Sequence, residues 1–305
     1  MKRATCASTG TVIISNKNIL VKNNNMNNCN HTEKEGLSQT NQSEEELFQQ
    51  WHRFIADHGF VWKGILSRYD GEGRMTEVLN STRKFTPTPD ASEIEHYLCF
   101  INRDDPEKVL EKRFIIEKCG PGIIHPIDPD STIMFSSQSS GIMSRPDRDY
   151  AEIYLIEGNR RVSTVVFYYP DSDEEINKRR GLAKISLFRE VKQEESPLPW
   201  SEEKPEITNR EYPHVQVINS SMLRFGTFDE IPVSNEFVDG FKEERLIFDF
   251  PDGISLNVPK TLKLGDENNL ILSWKYSNNR LKRAIAQFSD DTRGADLITQ
   301  ECVIV

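Results

Sequence analysis

Hydrophobic and polar positions recur along this chain with two different periods. From Ser43 to His58 the spacing is helical. Leu47, Phe48, Trp51, Phe54 and Ile55 form one apolar stripe, Ser43 stands as an N-cap with Glu46 three residues later, and Gly59 ends the run. Such a helix flanks or plugs a sheet. Beyond it, short apolar runs with turn residues between them predict strands near 61–69, 75–85, 94–101, 112–118, 131–137, 151–157, 161–169 and 181–190. The clearest hairpin is Phe60–Phe85. Val61, Trp62, Ile65, Leu66 and Tyr69 lead into the turn Asp70-Gly71-Glu72-Gly73, and Met75, Val78 and Leu79 follow it. Trp62 followed two residues later by Gly64 predicts a large ring beneath a strand that a second backbone approaches closely.

A second strand-rich block follows, with strands expected at 214–219, 222–228, 243–250, 254–258, 269–277, 280–288 and 296–304. Its hairpins are marked by Asp252-Gly253, Asn278-Asn279 and the stretch from Asp290 to Gly294. Near its end Leu281, Arg283, Ile285 and Gln287 share one face, and Lys282, Ala284, Ala286 and Phe288 the other. Pro121-Gly122, His125-Pro126 and Asp128-Pro129 predict a long loop in the first block, and Pro170 to Glu175 an acidic one. The expected organisation is an Asn-rich disordered tail over 1–43, a helix and barrel over 44–191, a Pro-rich linker over 192–213, and a second β-barrel over 214–305. Met26 is a candidate start that would make residues 1–25 spurious.

In layout the chain resembles a cyanobacterial-type family of tandem lipocalin-like barrel proteins. Three stretches carry the likeness. The first is the opening helix with Trp51, continuing into Val61-Trp62-Lys63-Gly64 and the Asp70–Gly73 turn. The second is Phe250-Pro251-Asp252-Gly253 with Leu262, Leu264 and the Leu270–Trp274 strand. The third is Asn279-Arg280-Leu281-Lys282-Arg283 leading to a last strand that ends at Val305. The resemblance implies a calycin fold over roughly residues 46–305: all-β, two small antiparallel barrels able to enclose a hydrophobic molecule, with a short N-terminal helix. It transfers no catalytic residues.

Composition narrows the function. The net charge of −10 over 305 residues disfavours a nucleic-acid surface. Lys178-Arg179-Arg180 reads as turn decoration. No apolar run approaches the roughly 20 residues that span a bilayer. Val12-Ile13-Ile14 is too short for a signal-peptide core. The five cysteines, Cys6, Cys29, Cys99, Cys119 and Cys302, are odd in number and widely spaced, as reduced thiols in a cytoplasmic protein would be. A G-x-S-x-G elbow, a phosphate-binding glycine loop and a dinucleotide fingerprint are all missing, which disfavours a hydrolase or nucleotide enzyme. No cofactor and no metal are assigned. Cys119, His125, Asp128 and Asp130 are ligand types but follow no metal-site spacing.

The candidate catalytic set is His96, Arg113, Glu117 and Tyr154. Projecting into the first barrel, the arginine would hold a carboxylate or enolate oxygen while histidine or glutamate moved a proton. The alternative is that these residues face solvent, Arg113 and Glu117 pairing at the surface. Trp62, Trp274 and Tyr276 are candidate ligand contacts, or rings that close a barrel base. The partner implied is a hydrophobic or aromatic small molecule. The leading function is a cofactor-independent enzyme of specialised metabolism performing a cyclisation, isomerisation or addition. The alternatives are a carrier of pigment or lipid and a bilin lyase-like chromophore chaperone.

Overall fold

The computed structural model describes residues 48–126, 128–145, 150–170, 180–192, 200–201, 206–207, 215–233, 244–262, 267–289 and 294–305. The expected tail over 1–43, the N-cap Ser43 and most of the linker lie outside these residues, as do Cys6 and Cys29; among the described residues Cys99 and Cys302 are free thiols. The described chain is nearly all β. Helix α1, Gln49–His58, precedes ten strands: β1 Val61–Asp70, β2 Met75–Pro87, β3 Glu93–Asn102, β4 Val109–Glu117, β5 Ile123–His125, β6 Asp128–Phe135, β7 Ser140–Ser144, β8 Tyr150–Glu157, β9 Arg160–Pro170 and β10 Arg180–Lys192. They pair antiparallel in the order β4-β3-β2-β1-β10-β9-β8-β7-β6-β5. The terminal strands β4 and β5 lie beside each other, so the sheet curls into a nearly closed barrel.

The second block contributes β11 Glu206–Ile207, β12 Val215–Leu223, β13 Glu230–Pro232, β14 Arg245–Phe250, β15 Ile254–Pro259, β16 Thr261–Leu262, β17 Asn268–Trp274, β18 Arg280–Phe288 and β19 Ala295–Ile304. Eight of these form a sheet in the order β11-β14-β15-β17-β18-β19-β12-β13, while β16 crosses over to pair with the start of β10. The long expected loop after residue 120 instead holds β5 and the start of β6, and β7 falls where no strand is expected. Arg180 is buried at the head of β10 and is not turn decoration; Lys178 and Arg179 lie outside the described residues.

The largest core lies between the two sheets. The outward face of the barrel wall supplies Ile65, Ile153, Val162, Val166 and Leu187, and the second sheet answers with Leu256, Leu272, Ala284, Ala286, Phe288 and Leu297. That explains why β8 and β10 are buried on both faces while the first half of β4 is exposed. The alternation expected at the C-terminus is visible here. Ala284, Ala286 and Phe288 face the barrel, whereas Ile285 joins Ile271 and Ile298 on the far side of the sheet.

The barrel interior begins under the Trp62-x-Gly64 pair. A methyl group on Gly64 would lie 1.9 Å from the Arg189 carbonyl oxygen, so only glycine lets β1 and β10 meet at this point. Trp62 is wholly buried. Helix α1 lies against the barrel with Trp51 and Phe54 buried and its Phe54 ring stacked on Phe135 at 5.3 Å. Gln50 locks it there: its Nε2 donates to the Phe135 carbonyl (3.2 Å), and the Phe135 N–H donates to its Oε1 (2.7 Å). The side chain thus takes the place of a ladder partner at the end of β6. Gly59 stops the helix with φ −63°, and its N–H donates to the Ile55 carbonyl.

Candidate functional site

A cavity of about 210 Å³ lies inside the barrel. Its wall is mainly aromatic and aliphatic, from Phe85 on β2, Phe100 on β3, Phe135 on β6, Val165 on β9 and Phe188 on β10, with half-buried Leu98, Met143 and Tyr150 at its rim. Strand alternation puts these side chains inside: each wall residue is followed by one that faces the second sheet or solvent. Into this wall are set His58 from α1, Arg83, His96, His125, Glu152 and Tyr154.

The polar groups form a buried network. Arg83 donates from Nε to Glu190 Oε1 (2.8 Å), from Nη2 to Glu190 Oε2 (2.5 Å) and from Nη1 to Glu152 Oε1 (3.1 Å). Arg161 donates to Glu190 Oε2 from Nε (2.9 Å) and Nη2 (2.7 Å). Ser163 Oγ donates to Glu152 (2.8 Å). Aromatic faces cover both guanidinium groups, Phe188 at 4.1 Å from Arg83 and Trp62 at 4.3 Å from Arg161. Two guanidinium groups therefore meet two carboxyl groups, with Glu190 shared between the arginines. Burial pushes the Glu190 carboxyl up, but Arg161 and Arg83 overcome it and hold the group at about 2. Burial, then the neighbouring Arg83, lowers Arg161 to about 10 against the pull of Glu190, so it stays charged at neutral pH.

The imidazoles behave differently. Arg161 Nη1 lies 2.5 Å from His58 Nδ1. A guanidinium only donates, so Nδ1 accepts and the proton of neutral His58 sits on Nε2. Burial and the two nearby arginines hold His58 well below its ordinary pKa. Burial, then His125 and the arginines, does the same to His96. His96 Nδ1 is 3.1 Å from His125 Nε2. Among the described residues, His58 Nε2 and His96 Nε2 are both buried without a hydrogen-bond partner. Leaving such an atom unpaired costs about 1–3 kcal/mol. Burial, then Glu152, raises the Tyr154 phenol well above its usual range.

These depressed imidazoles set a pH dependence. Below pH 6.5 the unfolded chain protonates His58 and His96 and the native barrel does not, so stability falls as pH drops. Each contributes up to about 1.4 kcal/mol per pH unit in that range. Urea unfolding at pH 5.5 is expected to give a stability about 2–3 kcal/mol below that at pH 7.5. An unchanged or higher value would mean that the imidazoles are not held neutral.

The structure brings only part of the expected set together. His96 and Tyr154 line the cavity. Arg113 and Glu117 do not. In the β3–β4 register His96 stands opposite Phe114 and Ile94 opposite Ile116, which turns Phe114 and Ile116 inward and Arg113 and Glu117 outward. Arg113 is 47 % exposed and pairs with Glu95 at 2.7 Å rather than with Glu117. Arg113→Ala is accordingly expected to change urea stability by less than about 0.5 kcal/mol. A loss above 2 kcal/mol would contradict the surface placement. Trp62 lies under Arg161 beside the cavity but is not part of its wall. Trp274 ends β17 in the second sheet and packs against Trp200, while Tyr276 follows in the connection to β18, its hydroxyl donating to Glu301. His125 faces His96, and among the described residues no three metal-ligand side chains converge. The residues that sequence reasoning passed over are His58, Arg83, Glu152, Arg161 and Glu190. Two of them left a trace: His58 continues the helical stripe of Trp51 and Phe54, and Glu152 shares the strand face of Tyr154.

Comparison with known proteins places this geometry. Residues 48–195 match the model of the N-terminal part of a domain of unknown function, DUF3598. A crystal structure of a protein with unknown function from the DUF3598 family of Nostoc punctiforme is similar over 84% of this chain and 99% of that one, at 15% identity and a TM-score of 0.59. The S-type phycobiliprotein lyase of Guillardia theta matches 48% of this chain and 93% of its own, at 10% identity and a TM-score of 0.35. No curated protein matches. The Nostoc structure carries the fold across both blocks. Among the described residues no helix is long and apolar enough to cross a membrane.

Proposed function

We propose that the barrel over residues 61–192 is a lipocalin-like container that binds a compact aromatic or otherwise hydrophobic small molecule in its interior. The observation that carries this reading is the cavity of about 210 Å³, apolar-walled but with unpartnered imidazole nitrogens. A wholly apolar cavity of roughly 150 Å³ takes up benzene. This one has room for one or two fused rings, and an open-chain tetrapyrrole would require its rim to widen. A few polar groups in a largely apolar wall are what fix a ligand's orientation.

Catalysis is the second reading, favoured by the His96–His125 pair. A proton can pass along the 3.1 Å contact between the rings, so that His96 Nε2 offers a donor in one tautomer and a base in the other. With a dry cavity to hold one reactive conformer, that supports a cofactor-independent isomerisation or cyclisation.

Titration with 1-naphthol, followed by its own fluorescence, tests the container. Saturable one-to-one binding is expected. Leu98→Trp, which brings an indole into the cavity from the half-buried rim, is expected to weaken binding by about tenfold or more, because the added ring and the ligand compete for one space. Binding that is absent from the wild type, or untouched by Leu98→Trp, would sink the proposal.

A further inference from the structure

His58 is the side chain whose chemistry is fully determined and yet unused. It reaches the cavity from the last turn of α1, a helix whose first turn is held by the reciprocal Gln50–Phe135 bonds, and its ring packs 4.5 Å from Phe135 and 5.4 Å from Tyr154. Arg161 occupies Nδ1, so Nε2 carries the hydrogen; the atom is buried and, among the described residues, without a partner. A fixed, neutral N–H donor in an apolar wall is matched by an oxygen acceptor on a ligand. We infer that the cavity selects an uncharged ring compound carrying a carbonyl oxygen, and that His58 Nε2–H receives that oxygen. This inference rests on the container reading above and adds the ligand's chemical class.

Charge argues for a neutral ligand. Arg83, the guanidinium on the cavity wall, already holds Glu190 and Glu152 through three of its nitrogens. A ligand carboxylate would face Glu152 and would have to displace these partners to gain a cation. His58 and His96 cannot neutralise it without each taking up a proton in a buried setting. A carbonyl dipole asks for no such compensation. In a bound ketone the donor would polarise the carbonyl, and His96, in the same wall, is the group placed to exchange a proton with a neighbouring carbon.

Three ligands of nearly equal shape separate the possibilities: indane, 1-indanone and indane-1-carboxylate, titrated calorimetrically into the full chain at pH 7.5. 1-Indanone should bind roughly fivefold tighter than indane, although its oxygen must first be dehydrated, because one hydrogen bond to a buried unpaired donor exceeds that loss. The carboxylate should bind at least about tenfold more weakly than the ketone. On binding, the infrared carbonyl band of 1-indanone should move to lower wavenumber. In His58→Phe, with folding checked by circular dichroism, both the shift and the preference over indane should vanish. Indane binding as tightly as 1-indanone, or the carboxylate binding most tightly, would overturn the inference while leaving a ligand-holding barrel. Should none of the three bind, the container reading fails and this inference with it. The ligand series on the unaltered protein decides the matter even if His58→Phe does not fold.

Discussion

Glu190→Gln is expected to destabilise the protein by about 3–5 kcal/mol, the usual result of removing one member of a buried ion pair. Glu190 is fully buried, and its two oxygens receive Arg83 and Arg161 at once, with Ser81 at 3.3 Å as a further donor. Glutamine keeps the shape but offers one acceptor oxygen and no charge. Two guanidinium groups would then face each other inside the barrel with, among the described residues, only Glu152, which touches Arg83, to balance them. Neither can shed its proton near neutral pH. The expected readout is a urea midpoint shifted far below that of the wild type. A change under about 1 kcal/mol would mean that water reaches the cluster and that the site is not dry. The effect should also reach the ligand, since Arg161 fixes the tautomer of His58.

Gly64→Ala should be nearly as damaging, at about 3 kcal/mol, the upper end of the usual overpacking cost. The added carbon would sit 1.9 Å from the Arg189 oxygen and 2.8 Å from the Glu190 Cα, both backbone atoms. No rotamer relieves such a contact, so β1 must draw away from β10. Gly64 stands directly opposite Glu190 in that pairing and opposite Ser81 on its other side. Separation of the strands therefore pulls the central carboxylate away from its donors. Gly158→Ala is the matched control. Its φ is +60° but among the described residues nothing lies within 4 Å of the added carbon, so it should lose only about 1 kcal/mol, the usual cost of a left-handed residue. Equal losses in the two variants, read by urea unfolding, would show that the close approach of β1 and β10 at Gly64 yields to the added carbon at no more than the cost of ordinary backbone strain.

The fold was largely legible because period and punctuation agree through most of the chain. The strand expected at 280–288 is β18 to the residue, and the Trp62-x-Gly64 signal marks a true close approach. The misses have local causes. β5 is three residues long between prolines, too short for alternation to register. The strands expected at 214–219 and 222–228 are in fact β12, one strand interrupted by a bulge between Val217 and Asn219, followed by a turn.

The site was half legible. Alternation groups His96 with Leu98 and Phe100, and Glu152 with Tyr154, but it cannot say which face is inside. That needs register, and it is Phe114 opposite His96 that turns Arg113 outward. Arg83, Arg161 and Glu190 were invisible for a different reason. A charged residue in a strand is read as solvent-facing, and only the tertiary pairing of three strands makes its burial tolerable.

The central claim is that the barrel interior takes up a compact, mainly apolar ligand. Methyl-labelled protein titrated with 1-naphthol and followed by two-dimensional NMR tests it most directly. The cavity is walled by Val165, Leu98, Ile133 and Met143, all carrying methyl groups. The account predicts that these four resonances shift together along one saturable curve, while the exposed Val109, Leu110 and Ile218 stay in place. Shifts concentrated on those exposed residues, with the four interior ones unmoved at saturation, would contradict it.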